Sequence, residues 1–276
     1  MPIRPLARQG VSDPLLSRKK CRDNNKGCGI QYWYDYYVDP SIAGPQPVVD
    51  PTPVVLDDAT IWLDSRSPGF AYADSDRMTS GWNDTSGNGL HFDTDYGAGT
   101  YGLYKTDYVD FDSSNTKIGR TAVPFTDFMG LNTGTFVFLM RQSGTTNATI
   151  THRPGDSGNK VLFHMAFTDN NFYIDWGNQF SGGRVSFTEP GDWDDGLFHT
   201  VIIRRTVNAL LVWIDGVEVY SNAAAYSSAR TNTTDNLDLG GVNGSGWQLA
   251  QFMTWDRALT NDEMIALEAF LQSIKP

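Results

Sequence analysis

Apolar and polar residues along this chain alternate in short runs from Ile61 onward, and the runs are separated by Gly, Asn and Asp. The spacing predicts strands at TIWLDS (60–65), GTYGLYKTDYVDF (99–111), TFVFLMRQ (135–142), KVLFHMAF (160–167), NFYIDWG (171–177) and RVSFTE (184–189). Further strands are predicted at HTVIIRRT (199–206), ALLVWID (209–215), VEVYSN (217–222), NLDLGG (236–241) and GWQLAQFMTWD (246–256). No helical pattern lies between them, so the expected fold is all-β: a two-sheet antiparallel sandwich. Asp215-Gly216 predicts a type I′ hairpin turn, because that dipeptide tolerates two positive φ angles. One helix closes the pattern. Thr260 and Glu263 form a T-x-x-E capping box, and Met264, Leu267, Leu271 and Ile274 follow on one face. A short helix with that stripe is expected to pack on the outside of the sandwich or across its end.

The segment ahead of the strands reads differently. Residues 43–55, AGPQPVVDPTPVV, carry four prolines, which remove backbone donors and favour extended chain. They divide the chain into an extended N-terminal arm (1–42), a Pro-rich linker (43–55) and a globular domain (56–276). The arm lacks the apolar surface to offset its own ordering entropy. It does hold a basic cluster with Arg18, Lys19 and Lys20, and an aromatic run of Tyr32, Trp33, Tyr34, Tyr36 and Tyr37. Residues of these types suit partner anchoring: the cations match an acidic surface, and the rings supply the large buried contacts that dominate interface energetics. Cys21 and Cys28, the only cysteines, are spaced to close a small disulfide loop or to remain free thiols. Two thiols are too few for a structural zinc site, which wants four ligands.

Composition sharpens this division. A chain of 276 residues can bury a sizeable core, and its richness in Gly, Thr, Asn, Asp, Val and aromatics with few Glu and Lys suits β structure. The net charge is −11, which argues against nucleic acid as the main partner. Residues 1–50 hold seven Lys or Arg against five Asp, for +2, so the remainder carries −13. MPIRPLARQGVSDP has early charge but no apolar h-region, so a route without classical export is expected. The longest apolar run, ALLVWI (209–214), is far too short to insert across a membrane.

Three motifs in order carry a family resemblance. GDWDDGLFHTVIIRRTVNALLVWIDGVEVY (191–220) resembles the signature of laminin-G / concanavalin A-like domains, with Trp193, His199, Val201, Trp213, Asp215 and Gly216 at its positions. IWLDS with WNDTSGNGLHF (82–92), and GWQLAQFMTWDRALTNDEM (246–264), resemble the opening and closing elements of such domains. The resemblance spans about residues 56–274 and implies a concanavalin A-like jelly-roll sandwich, in which Trp82, Trp193 and Trp213 normally fill the core. That fold hosts lectins, adhesion modules, hydrolases and lyases, so it does not fix a function.

Catalysis is weakly signalled. Glycoside hydrolysis needs two carboxylates about 5–9 Å apart. The four glutamates, Glu189, Glu218, Glu263 and Glu268, fall outside the Glu-x-Asp-x-Glu pattern that enzymes of this family carry. His164 and Tyr173 could be cast as lyase groups, but a structural histidine accounts for the same residues. The expected protein is therefore not an enzyme. Sugar recognition uses aromatic platforms with Asn, Asp and Gly loops, which singles out Trp176, Asn178, Asp192, Asp194 and Asn243 as glycan-binding candidates. Asp175, Asp192 and Asp194 are weak calcium candidates, since calcium wants several oxygen ligands; no other cofactor is expected. An anchoring arm, a proline spacer and a lectin-like domain together resemble phage decoration, head-fibre and tail or baseplate adhesin proteins. That resemblance implies a virion structural protein made in the host cytoplasm. Its arm would join capsid or tail proteins within a homo-oligomeric assembly, and its sandwich would meet host surface polysaccharide. The alternative class is a bacterial carbohydrate-binding or carbohydrate-active protein.

Overall fold

The structure, a computed structural model, describes residues 54–66, 78, 81–92, 100–111, 116–130, 132–142, 148–152, 160–165, 169–177, 182–191, 193–222, 236–240 and 246–276. The arm (1–42), the linker up to residue 53, Cys21 and Cys28 lie outside the described residues. Val54–Asp58 forms a 3-10 turn that opens the described part.

Among the described residues, fifteen strands and one helix follow. They are β1 (Ile61–Asp64), β2 (Thr100–Tyr101), β3 (Leu103–Lys105), β4 (Tyr108–Phe111), β5 (Thr116–Pro124), β6 (Gly134–Gln142), β7 (Ala148–His152) and β8 (Lys160–Met165). Next come β9 (Asn171–Gly177), β10 (Arg184–Thr188), β11 (His199–Arg205), β12 (Leu210–Ile214), β13 (Val217–Asn222), β14 (Asn236–Gly240), β15 (Trp247–Trp255) and α1 (Asn261–Ser273). The predicted strand at 99–111 is three strands, broken by Gly102 and by a tight turn in which Thr106 takes φ 37°. Strands β5 and β7 lack a continuous apolar run and escaped the pattern analysis.

The strands build two sheets. One, eight-stranded, runs β13-β12-β11-β6-β15-β4-β3, with β1 pairing β15 beside β4. The other, seven-stranded, runs β10-β9-β8-β7-β14-β5-β2. All pairings are antiparallel except the two-residue contact of β2 with β5. This is the expected all-β sandwich.

The sheets meet through large aromatic side chains. Phe136 and Phe138 of β6 lie edge-on to Phe163 of β8 at 5.0 and 6.0 Å, and Phe136 meets Trp176 of β9 at 5.2 Å. Alternate residues of β6 face the other way: Val137 and Leu139 join Ile202, Leu211, Met253 and Trp255 in a second apolar layer on the outer face of the eight-stranded sheet. Met264, Leu267, Phe270 and Leu271 of α1 cover that layer. Burial on both faces explains why β6 and β12 carry the nearly unbroken apolar runs FVFLM and LLVWI. The helix begins as predicted, with the Thr260 side chain accepting from Glu263 N–H and Glu263 accepting from Thr260 N–H. The 215–216 turn also has its predicted type I′ character, with φ 47° at Asp215 and 76° at Gly216.

Candidate functional site

Two places concentrate polar chemistry: a clasp around His199 and the outer face of the seven-stranded sheet.

His199 opens β11 and is buried. Its Nδ1 lies 2.6 Å from Asp215 Oδ2 and its Nε2 lies 3.1 Å from Asp195 Oδ1. Two flanking carboxylates favour the doubly protonated ring. The hydrogen bond to Asp215 raises the histidine above its usual range, against the opposing effect of burial. Asp215 itself is held well below the ordinary carboxylate range: burial opposes this, but His199, the Thr200 N–H and Lys275 outweigh it. The Thr200 N–H donates to Asp215 Oδ1 at 3.0 Å, Gln272 Nε2 donates to it at 3.2 Å, and Lys275 Nζ lies 3.1 Å away. The Thr200 hydroxyl donates to Glu268 on α1. Trp193 lies beside the imidazole with its ring tilted by 30° and its centre 5.3 Å away, and it donates its Nε1–H to Gln142 Oε1 at 2.7 Å. In the doubly protonated state that the two carboxylates favour, both ring nitrogens donate and neither keeps a lone pair for proton abstraction or for a metal. The clasp ties β11, the β12–β13 hairpin and the end of α1 together, so it is structural.

The outer face of the seven-stranded sheet is built by period two. On β9, Phe172, Ile174 and Trp176 point into the core, which sets Tyr173 and Asp175 on the opposite face. Register then aligns two rows across the strands. One runs Leu162, Asp175, Arg184, from β8 through β9 to β10. The other runs His164, Tyr173, Ser186. Arg184 grips Asp175 with two bonds of 2.5 and 2.7 Å and sets its guanidinium carbon 5.3 Å from the Tyr173 ring centre. The Tyr173 hydroxyl donates to Asp169 Oδ2 at 2.5 Å, which keeps the phenol protonated above its usual range and the carboxylate charged below its own. His164 meets the Tyr173 ring edge-on at 6.5 Å.

The structure separates the residues singled out from sequence. Trp176 is 0% exposed among Phe136, Phe163 and Arg205, so it offers no face to a sugar; its place in the strand alternation puts it inside. Asp175 is equally buried and its two oxygens are held by Arg184, which removes it as a calcium ligand. Asp194 is exposed on the turn before β11. Asn178, Asp192 and Asn243 lie outside the described residues, as do Arg18, Lys19, Lys20, Tyr32, Trp33, Tyr34, Tyr36 and Tyr37. Among the described residues no group of three or more His, Cys, Asp or Glu could hold a metal ion. Trp82 and Trp193 fill the core, as the resemblance implied, while Trp213 is half-buried against the outer apolar layer. Tyr173 and Arg184, absent from the glycan-binding candidates, become conspicuous only once register places β8, β9 and β10 side by side. Among the described residues no helix is long and apolar enough to cross a membrane.

No family model and no curated protein matches the sequence. Solved structures do match the fold. The botulinum neurotoxin serotype D binding domain aligns with 78% of this chain and 51% of its own, at 12% identity and a TM-score of 0.53. The binding domain of Paraclostridial Mosquitocidal Protein 1 aligns with 79% of this chain and 53% of its own, at 15% identity and 0.52. The Trypanosoma rangeli sialidase aligns with 78% of this chain and 33% of its own, at 13% identity and 0.50. The chain thus spans about half the length of the toxin domains it matches. At such identities the likeness is one of fold, a two-sheet β-sandwich.

Proposed function

We propose that this chain is a non-enzymatic display protein of a virion, attached by its N-terminal arm and presenting a lectin-like sandwich to host surface glycan. The observation that carries the binding half is the polar outer face of the seven-stranded sheet, where Tyr173, His164, Ser186 and the Arg184–Asp175 pair stand in register across three strands. Such a face offers a ring, charged donors and hydroxyls to a polyhydroxylated ligand, the mix that sugar recognition uses. The toxin neighbours are binding or receptor-binding domains, which agrees with a binding role for this architecture. Sequence supports the attachment half: residues 1–50, at +2 with clustered cations and rings, precede a −13 remainder whose charge would keep displayed domains apart.

One experiment tests both halves. Particles assembled with full-length protein are compared with particles offered the chain without residues 1–45, and each is passed over immobilised host polysaccharide. Incorporation that needs the arm, and retention lost on Tyr173→Ala, are the expected results. Arm-independent incorporation would overturn the attachment role. Retention unchanged by Tyr173→Ala would overturn the sheet-face site, and release of shortened saccharides would favour the carbohydrate-active alternative.

A further inference from the structure

A second surface lies on the outer face of the eight-stranded sheet, away from the glycan-binding face proposed above. Period two sets Arg141 of β6 on that face with Val137 and Leu139, and it turns Tyr108 of β4 away from the side where Val109 and Phe111 enter the core. Register places Gln248 of β15 between Asp110 of β4 and Arg141, and Phe198 stands just before β11. The Tyr108 and Phe198 rings form a tilted pair with centres 5.6 Å apart. The Arg141 guanidinium carbon lies 5.2 Å from the first ring centre and 4.9 Å from the second, within cation–π range. Its Nε–H donates to Gln248 Oε1, and its Nη1 donates to Gly196 O at 3.3 Å. Phe198 and Gln248 are buried, so a fixed ring and a fixed amide hold the guanidinium in place.

What this guanidinium lacks is a carboxylate. Arg66 grips Asp64, Arg184 grips Asp175, and Arg257 grips Asp58 and Glu263. Among the described residues Arg141 is bonded to two neutral acceptors and stacked on two rings, with no ion pair. A guanidinium carries five N–H donors, so one on Nη1 and both on Nη2 are left over. Arg141 is half-buried, and its Nη2 reaches the surface. The Tyr108 hydroxyl also makes no hydrogen bond among the described residues and meets solvent.

We propose that Arg141, Tyr108 and Gln248 form a binding site for an acidic saccharide, one whose sugar ring carries a carboxylate. The planar Nη1–Nη2 edge of the guanidinium fits the two oxygens of a carboxylate. The Tyr108 hydroxyl and the Gln248 amide suit the neighbouring sugar hydroxyls. Leu197, 63% exposed in the turn that holds Gly196, offers an apolar edge to the C–H groups of the ring. Because Phe198 and Gln248 already hold the guanidinium, little side-chain freedom is lost on binding. Residues 51–276, at −13, repel anions from a distance, so capture rests on contact at Arg141 rather than on steering.

The probe is a glucuronyl-glucose disaccharide, titrated into the full-length chain and followed by ligand-observed NMR. A neutral glucosyl-glucose disaccharide, its sulfated form and N-acetylglutamate serve as comparisons. The expected result is saturable binding of the uronate, about tenfold or more tighter than that of any comparison. Arg141→Lys keeps the charge and the ring contact but loses the planar fork, so it should weaken binding about tenfold with the melting temperature held. Tyr108→Phe keeps the ring and should weaken binding several-fold. Absence of uronate binding overturns the proposal. So does equal binding of the neutral sugar, which would remove the carboxylate from recognition, or of the sulfated sugar, which would mark a general anion site. Equal binding of N-acetylglutamate would assign the site to a protein carboxylate and overturn the saccharide. Uronate binding that survives Arg141→Lys, or that is lost in Tyr173→Ala, overturns the location. Polysaccharide retention that ignores Tyr173→Ala, beside uronate binding that needs Arg141, would sink the seven-stranded face and support this site, so the two fail independently.

Discussion

His199 Nδ1 lies 2.6 Å from Asp215 Oδ2, and Asp195 holds the opposite nitrogen at 3.1 Å. The pair therefore stabilises the fold in a defined pH window. His199 is raised above 6.5 by Asp215, so its contribution is complete below that value and is lost as pH climbs through the raised one. Asp215 is lowered from 3.8, so its contribution is present above 3.8 and is lost in strong acid. Thermal melts should show the largest contribution between about pH 4 and 6.5 and a fall in melting temperature on going to alkaline pH. His199→Asn should flatten that alkaline fall and cost about 2 kcal/mol near pH 6, because it leaves Asp195 and Asp215 facing an uncharged ring position. An alkaline slope that persists in the variant would place its origin elsewhere.

Asp84 is the knot of the opening loop. Its carboxylate accepts from Trp62 N–H at 2.9 Å, Ser86 N–H at 2.9 Å, the Ser86 hydroxyl at 2.7 Å and Leu90 N–H at 3.1 Å. Asn88 extends the knot by donating to Ala59 O and Thr60 O at 2.9 and 3.1 Å. Removing the carboxylate orphans three backbone donors at once. Asp84→Ala should cost about 3 kcal/mol, and Asn88→Ala about 1 kcal/mol, in denaturant melts. Equal losses from the two would show that Asp84 acts only locally.

Much of this was legible because the motifs concerned are local. The W-N-D-T-S-G-N-G loop, the Asp215-Gly216 turn and the Thr260 capping box each depend on a few neighbouring residues, and short-range chemistry dictates their geometry. The strands covered on both faces were legible from apolar runs alone. What stayed hidden was cross-strand. Strand β5, TKIGRTAVP, interrupts its apolar residues with Lys117, Gly119 and Arg120, and it is held in the sheet by β14 and β2 rather than by its own pattern. The row that brings Arg184 to Asp175, nine residues apart, follows from the β9–β10 register, which a linear reading does not supply. Trp176 was misread as a surface platform although Phe172 and Ile174, four and two residues earlier, already fix the inward parity of the strand.

That parity makes Trp176 a stability residue. Its ring meets Phe136 at 5.2 Å and Phe163 at 6.3 Å, its carbonyl accepts from Arg205 Nη1 at 2.5 Å, and its ring carbon lies close to the Cα side of Gly134. Trp176→Ala should lower stability by roughly 3–5 kcal/mol through the cavity it opens. Tyr173→Ala, one step along the alternation that puts Trp176 inside, should cost far less and act on ligand retention instead. Reversed effects in paired melting and retention assays would invert the assignment of the two faces of β9.

The capping box at Thr260 allows a last separation, between the local stability of α1 and its docking. Arg257 bonds Glu263 through Nη1 and Nη2 at 2.9 and 2.6 Å, and its Nη2 also reaches Asp58 at 2.7 Å. The Arg257 contact, helped by the Thr260 N–H, pulls Glu263 down from 4.5 to about 2. A carboxylate lowered in this way contributes above its unfolded value and loses that contribution as pH falls toward about 2. Because Arg257 and Glu263 are partly exposed, the contribution should shrink in high salt. Thr260→Ala removes a cap for about 1 kcal/mol. Leu267→Ala, on the sheet-facing side of the same helix and fully buried, should cost about 3 kcal/mol. If hydrogen exchange shows α1 opening alone in Thr260→Ala but together with β6 and β11 in Leu267→Ala, the cap governs fraying and the apolar layer governs attachment. Equal exchange patterns would mean that the helix and the sheet open as one unit.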